Sequence, residues 1–245
     1  MAQVEDVPEI GDFFVCRDFV RKEYVFFPPP TGSTLEPLKV SVEALDAAST
    51  DFDLTGTIVW SVSLLVSQYL AFGVRDEVRD CEAILEVGAG CGLCGLTAAA
   101  LGSRYVVCTD NEPEVMTVLK KSVALASCAH AHELNWGEES SYSALEASTG
   151  RKTWPLILGA DVVYWSHAVP QLFHAVSRLL APGGLFILGF TNRRNGLKEA
   201  TQEAALAAGL VFECVDPCPF LPVPTPEVFL AQLPKVTLYR MRHRG

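Results

Sequence analysis

Residues 84–96 read "ILEVGAGCGLCGL", an apolar run, a cluster of glycines and a second apolar run in thirteen positions. Two glycine patterns overlap there. Gly90-Cys91-Gly92-Leu93-Cys94-Gly95 is a literal G-x-G-x-x-G, whereas Gly88, Gly90 and Gly92 form G-x-G-x-G with Glu86 two residues ahead. Either pattern lets a backbone turn tightly and approach a ligand with no Cβ in the way. The two differ in register and in the sign of charge they face, and that difference decides which ligand the loop holds.

Working outward, Ala83–Val87 reads as a buried strand and Leu93–Gly102 as a helix closed by a terminal glycine. Tyr105–Thr109 is a second strand, and the helix after it takes Asp110 or Asn111 as its cap with Pro113 in the first turn. A weaker strand is expected near His132–Leu134 and a fourth at Leu156–Ala160. Val169, Leu172, Phe173, Val176 and Leu180 share one helical face. Pro182-Gly183-Gly184 predicts a turn into a fifth strand, Leu185–Phe190. A helix near Leu197–Ala208 and strands at Leu210–Val215 and Val236–Met241 complete the series. Continuous apolar strands alternating with helices imply a parallel sheet covered on both faces, hence a doubly wound, Rossmann-like α/β fold with seven mostly parallel strands. A proline-rich segment, Pro217–Pro234, replaces the last helix, which predicts an antiparallel final strand; the segment is either a substrate-facing flap or a plain surface loop. Ahead of the sheet, "KEYVFFPPP" and "LKVSVEAL" predict short strands joined by a Pro/Gly turn, and Thr55–Phe72 predicts a largely apolar helix. The expected division is an N-terminal β extension over 1–54 and one globular unit over 55–245.

The chain has 245 residues, 49% hydrophobic and 20% charged, and a formal net charge of −10. That length buries a sizeable core, and the acidic balance lacks the electrostatic footprint of a nucleic-acid binder. A small molecule or a basic protein is the expected partner, with no nucleic acid. The first residues, "MAQVEDVPEIGDFF", lack a basic, then apolar, signal sequence, and the apolar run Ile58–Phe72 is too short and too polar to span a bilayer, so no membrane association is expected. Eight scattered cysteines give no disulfide framework, which favours a reducing compartment, the cytoplasm or the nucleus. Cys91 with Cys94, and Cys214 with Cys218, read as small buried thiols, since neither pair has a second ligand pair for a metal. His130, His132, His167 and His174 show no metal-binding spacing, and no metal is expected.

In a doubly wound sheet the ligand sits beyond the carboxyl ends of the strands. A carboxylate on Glu86 at the mouth of that crevice repels a pyrophosphate and attracts a ligand bearing an amine and a sulfonium. Register agrees, because the first glycine after "ILEV" is Gly88 and the literal G-x-G-x-x-G starts two residues late. Asp110, twenty residues beyond Gly90, suits the ribose hydroxyls of either nucleoside type. A sulfonium nucleoside is therefore favoured over the dinucleotide of a nicotinamide oxidoreductase.

These motifs resemble the seven-β-strand S-adenosylmethionine-dependent methyltransferases, and within them the lysine-methyltransferase-like branch called methyltransferase family 16. "ILEVGAGCGLCGL" matches the family's first motif and "CTDNEPEV" its acidic motif after the second strand. "ELNWG" (Glu133–Gly137) resembles the adenine-contacting segment, "GADVVY" (Gly159–Tyr164) the D-x-x-Y motif, and "GTIVWSVSLLVSQYL" the G-x-x-V-W segment. The likeness runs from about Lys22 to Arg242. It departs at Ser61, where an acidic residue often follows the tryptophan, and at the long Pro217–Pro234 insertion. The resemblance implies S-adenosyl-L-methionine as cofactor, held by Trp60, Glu86, Gly88, Gly90, Gly92, Asp110, Asn111, Asn135, Trp136 and Ala160. Trp60 would face the methionine portion or pack as a core tryptophan, Asn135 and Trp136 would flank the adenine, and Ala160 would leave room for the cofactor.

The resemblance further implies methyl transfer to a protein side chain, lysine first, with a small amine as the alternative acceptor and a non-catalytic cofactor-binding module as the other class. Asp161 and Tyr164, three residues apart, are expected in a helical turn pointing into the crevice, orienting the acceptor nitrogen with Asp161 as candidate proton acceptor. The competing expectation is that Asp161 caps the following helix. Val162 and Val163 stand where base-methylating relatives carry two prolines, which argues against a nucleobase acceptor. Arg193 or Arg194, after the fifth strand, either touches substrate or neutralises Asp161.

Overall fold

A computed structural model describes residues 19–30, 34–46, 52–164 and 168–244. Residues 1–18 and His167 lie outside the described residues. The described chain opens with an antiparallel hairpin, β1 (Phe19–Phe26) against β2 (Leu38–Leu45), in which Phe19 faces Leu45 and Phe26 faces Leu38. Alternation at period two sends Val40, Val42 and Ala44 of β2 inward. A 3-10 turn over Phe52–Thr57 then leads to α1 (Ser61–Phe72). The helix expected from Thr55 thus starts six residues later. Trp60 is extended at its N-cap, and Gly56 is wedged against Val115, where an added Cβ would meet that side chain at 2.7 Å.

After α2 (Arg75–Arg79) comes the alternating series: β3 (Ile84–Val87), α3 (Leu93–Ala100), β4 (Val106–Asp110), α4 (Pro113–Val123), β5 (Ala129–Glu133), α5 (Glu139–Thr149) and β6 (Trp154–Ala160). The chain continues through α6 (Val169–Leu179), β7 (Leu180–Thr191), α7 (Leu197–Ala207), β8 (Leu210–Cys214), α8 (Glu227–Leu230) and β9 (Val236–His243). The sheet order is β5-β4-β3-β6-β7-β9-β8. The first five of these run parallel, and β9 lies antiparallel between β7 and β8. The strand order reverses beside β3, so the loops after β3 and β6 part to opposite faces and leave a crevice at their carboxyl ends.

Both faces are covered. Ile84, Leu156, Leu158, Leu185 and Ile187 pack in one buried cluster with α1, α3, α4 and the hairpin. Leu85, Ile157, Phe186, Leu188 and Phe190 pack in a second one with α5, α6 and α7. The proline-rich insertion leaves from β8 and re-enters at β9, both at the carboxyl edge, yet it lines no part of the crevice. It buries Phe220, Leu221 and Phe229 instead. Gln68 of α1 fixes it, Nε2 donating at 2.8 Å to the Phe220 carbonyl and at 2.8 Å to that of Phe27. It is a packed surface segment, not a flap over the site.

Smaller expectations shift as well. Glu112, not Asp110 or Asn111, is the N-cap of α4, with Pro113 at the first helical position. Gly102 follows α3 at φ +101°, as a glycine closing a helix does. The Pro182-Gly183-Gly184 turn is a bulge inside β7: Trp154 pairs with Leu180 and Leu156 with Leu185, and Arg242 Nη1 donates to the Gly183 carbonyl at 2.7 Å. The helix α5 has no counterpart in the sequence reading, because only Tyr142 and Leu145 are buried in an otherwise polar stretch. Cys214 and Cys218 are exposed rather than buried, since β8 is an edge strand and Cys218 starts a 3-10 turn in the surface segment.

Candidate functional site

The loop after β3 is a run of left-handed turns, with Gly88 at φ +58° and Gly90 at φ +56°. A Cβ on Gly88 would stand 2.6 Å from Val162 Cγ1 and 3.3 Å from the Trp136 ring, and one on Gly90 2.9 Å from the Gly56 carbonyl oxygen. Both positions border a cavity of about 550 Å³ at the carboxyl ends of β3, β4 and β6, within the size range of small-molecule sites. Gly92 does not reach it. It is the N-cap residue of α3, and an added Cβ there would meet Leu119.

Glu86 does not reach it either, contrary to expectation. Its side chain points with Ile84 to the α3 face of the sheet, is 2% exposed, and accepts a hydrogen bond from the Gly95 N–H at 2.8 Å. Burial pushes its carboxyl up to about 7, against hydrogen bonds from Gly95 and from the Cys108 and Cys94 thiols. It braces the first turn of α3. Cys91 and Cys94 are buried, and burial pushes the Cys91 thiol up to about 12, so it packs as a thiol. Among the described residues no group of three or more His, Cys, Asp or Glu side chains is placed to hold a metal.

Asp110 ends β4 on the cavity wall. Its Oδ2 accepts from the Gly90 N–H at 3.0 Å, and Oδ1 from the N–H groups of Asn111 at 2.9 Å and Glu112 at 3.4 Å. Burial raises its pKa, and these three bonds oppose the rise. Asn111 lies beside it on the wall. Beyond β5 the cavity is bordered by Leu134 and Trp136, but not by Asn135, whose backbone N–H turns away to Ser141 Oγ at 2.9 Å.

The opposite wall comes from the segment after β6. Ala160, Asp161, Val162 and Tyr164 all border the cavity. Residues 161–164 form a bend and an irregular stretch, not the helical turn expected, and α6 starts at Val169 with Ala168 as N-cap, so Asp161 does not cap α6. Asp161 is the one non-glycine residue at positive φ, +60°, among the described residues, a conformation that costs energy for a residue with a side chain. Its N–H donates to the Gly189 carbonyl at 2.7 Å, and its Oδ1 accepts from the Thr191 N–H at 3.2 Å. Arg193 then clamps the carboxylate, Nη1 donating to Oδ1 at 2.7 Å and Nη2 to Oδ2. This pairing raises the Arg193 pKa. Of the two readings of the arginines, Arg193 neutralises Asp161. The guanidinium carbon also lies 5.2 Å from the centroid of the Trp60 ring, and Trp60 Nε1 donates to the Thr55 carbonyl at 2.8 Å. Trp60 is 38% exposed, so it is no core tryptophan.

Several wall residues carried no assigned role in the sequence reading: Gly56, Ser63, Glu112, Val115, Leu134 and Val162. Gly56 had a signal, since it opens the G-x-x-V-W segment. The others lie within the quoted motif segments, and tertiary packing decides that their side chains face the cavity.

The residues present fit a nucleoside cofactor such as S-adenosylmethionine. The cleft closes on a glycine cradle that a Cβ would fill, a carboxylate stands where a ribose diol needs acceptors, and Leu134, Trp136 and Val162 form an apolar slot for a flat base. Sheet order, glycine loop and terminal acid together define an S-adenosylmethionine-dependent methyltransferase with a Rossmann-like fold. Residues 41–204 match the family model described as lysine methyltransferase, and the chain belongs to that family. It is 33% identical to the protein N-lysine methyltransferase METTL21A of Mus musculus over 138 residues, 54% of this chain and 58% of that protein, so the match spans little more than half of that relative. It is 25% identical to the protein N-terminal and lysine N-methyltransferase EFM7 of Yarrowia lipolytica, over 87% of this chain and 89% of that one. Among solved structures, the TehB-like SAM-dependent methyltransferase from Corynebacterium glutamicum superposes with a TM-score of 0.53 at 18% identity, covering 77% of this chain and 90% of that one.

Proposed function

We propose that the protein transfers a methyl group from S-adenosylmethionine to the side-chain amine of a lysine in a protein substrate. The observation that carries this reading is the cavity itself. One wall is a glycine cradle ending in Asp110, the other presents Asp161 and Tyr164, and the whole sits in a chain of the lysine methyltransferase family.

The cofactor supplies an already activated methyl on a sulfonium, so the chain's task is alignment. Gly88 and Gly90 let the backbone pass beneath the nucleoside. Asp110, tied to that loop through Gly90, offers carboxylate oxygens to the ribose, and Trp136 and Leu134 flank the base. Ala160, small at the end of β6, keeps the central passage open. On the acceptor side Asp161, paired with Arg193, and Tyr164 border the cavity. A lysine amine of pKa about 10.4 is neutral only about once in a few thousand at pH 7, so the site must favour passing its proton to water before attack.

Asn135 and Glu86 take no direct part in this scheme. A net charge of −10 suits a basic protein substrate, and the cysteine composition suits the cytoplasm or nucleus. Incubating proteome extracts with methyl-labelled S-adenosylmethionine tests the function. Labelled lysines are expected with the wild type and lost with Asp161→Ala while S-adenosylhomocysteine still binds. Labelling confined to small amines would move the acceptor class, and binding without any labelling would leave a cofactor-binding module.

A further inference from the structure

Trp136 reaches the cavity from the turn between β5 and α5. That turn has little packing of its own: Asn135 and Trp136 are half-buried, and Gly137 is exposed at φ +88°. Its hold comes from α5. The Ser141 hydroxyl accepts the Asn135 N–H at 2.9 Å, and the Tyr142 hydroxyl accepts the Gly137 N–H at 2.6 Å. Consecutive residues in the first turn of α5 thus grip the two peptide N–H groups on either side of Trp136. At the other end of the segment the Leu134 N–H donates to the Asp110 carbonyl at 2.9 Å. The stretch that carries the base slot is therefore tied at one end to the ribose carboxylate's residue and at the other to α5.

This is not ordinary capping. A capping side chain serves N–H groups of its own helix. Here the N-cap residue Glu138 makes no side-chain bond, while Ser141 and Tyr142 reach back to residues that precede the helix. Tyr142 is 3% exposed, and its ring sits in the buried cluster that contains Leu134 and Val162, with Trp136 packed against it. The hydroxyl is thus delivered to Gly137 from a fixed point in the core. Across the slot the Trp136 ring faces the glycine cradle, for a Cβ on Gly88 would stand 3.3 Å from Trp136 Cζ2. Where the ring stands sets the width left for a flat base.

We propose that Ser141 and Tyr142 are positioning residues for the cofactor's base, acting through the backbone of Trp136 to fix the width of the base slot. The inference rests on the S-adenosylmethionine reading above and adds to it two residues that do not border the cavity. A peptide N–H deprived of its acceptor turns towards water, and the segment that carries it gains freedom. Ordering that segment again then falls on the ligand and weakens its binding.

Calorimetric titration of S-adenosylhomocysteine tests the clamp in wild type, Ser141→Ala/Tyr142→Phe, Trp136→Leu and the combination of all these changes. Ser141→Ala/Tyr142→Phe removes two oxygen atoms and keeps the buried ring, and it is expected to bind about tenfold more weakly than wild type. In the Trp136→Leu background the same pair of changes is expected to alter affinity by less than about twofold, because the residue through which they act is gone. A loss of equal size in both backgrounds would make the hydroxyls general supports of the fold and overturn the proposal. Unchanged affinity of Ser141→Ala/Tyr142→Phe would overturn it too. If that variant does not fold, Tyr142→Phe alone takes its place in the same comparison, with an expected loss of about threefold, and its failure to fold would likewise overturn the clamp. Should Trp136→Leu bind too weakly for calorimetry, the comparison is read from the ligand concentration that raises the melting temperature. Absence of S-adenosylhomocysteine binding in the wild type would overturn the methyltransferase reading and the clamp with it, whereas binding by the wild type with equal losses in both backgrounds removes the clamp alone.

Discussion

The two walls of the cavity are held by different physics. On the side of β3 and β4, backbone N–H groups do the holding: Gly90, Asn111 and Glu112 donate to Asp110, and Gly95 donates to Glu86. On the side of β6 and β7 a charged pair does it, with a strained aspartate, an arginine reaching in from solvent, and an irregular stretch before α6. Backbone hydrogen bonds to a buried carboxylate have no competing partner, whereas a guanidinium on a flexible stem can be replaced. The first wall suits an invariant nucleoside and the second an acceptor that must enter and leave.

The sharpest way to break this contrast is to stiffen the first wall. Gly90→Ala places a methyl 2.9 Å from a backbone carbonyl oxygen, at a φ of +56° that disfavours any side chain. Because neither Gly56 nor the loop can give way cheaply, affinity for S-adenosylhomocysteine should fall by about 100-fold or more, the equivalent of about 3 kcal/mol, as measured by calorimetry. Asp110→Ala comes next. It removes the ribose acceptor and also releases the Gly90 N–H, so cofactor affinity is expected to fall by about 10- to 100-fold, the size of one lost hydrogen bond to a charged group at about 1.5–3 kcal/mol. On the second wall, Asp161→Ala should leave cofactor affinity within about threefold, under 1 kcal/mol, while labelling of lysines disappears. A joint loss of both would merge the two walls into one functional unit and break the comparison.

The same contrast explains what could be read from the chain. The sheet, its antiparallel last strand and the glycine loop were legible because strands of β-branched and aliphatic residues punctuated by Gly88, Gly102 and Pro113 leave few alternatives. The face on which Glu86 lies was not. A strand buried on both sides has no alternation of polar and apolar residues to say which way a given side chain points, so its charge was readable and its direction was not. Asn135 failed for a related reason: its neighbours Leu134 and Trp136 meet the cavity, and the backbone turn that sends its N–H to Ser141 depends on α5, a helix with two buried residues and no periodic signal. Asp161 borders the cavity, but its backbone conformation was not legible. Nothing in "GADVVY" announces a positive φ, which is imposed by bonds to Gly189 and Thr191, about thirty residues on.

Glu86 gives the smallest effect and the one that best separates bracing from binding. Its carboxyl is raised from 4.5 to about 7 in the folded chain by burial. The folded state therefore holds the proton more tightly than the unfolded one, so its contribution to stability is fully present below about 4.5 and is lost as pH rises towards and through about 7. Over the interval from pH 6 to pH 8 this amounts to a loss on the order of 1 kcal/mol. Glu86→Gln keeps the shape and an acceptor for the Gly95 N–H but cannot ionise. Its unfolding free energy, followed in urea at both pH values, should lack that part of the slope, and its affinity for S-adenosylhomocysteine should match the wild type at pH 6, where the carboxyl is mostly protonated. If Glu86→Gln instead weakened cofactor binding at pH 8, where the carboxyl is mostly ionised, with stability intact, the carboxylate would be facing the ligand after all, and the first wall would owe its grip to charge as the second does.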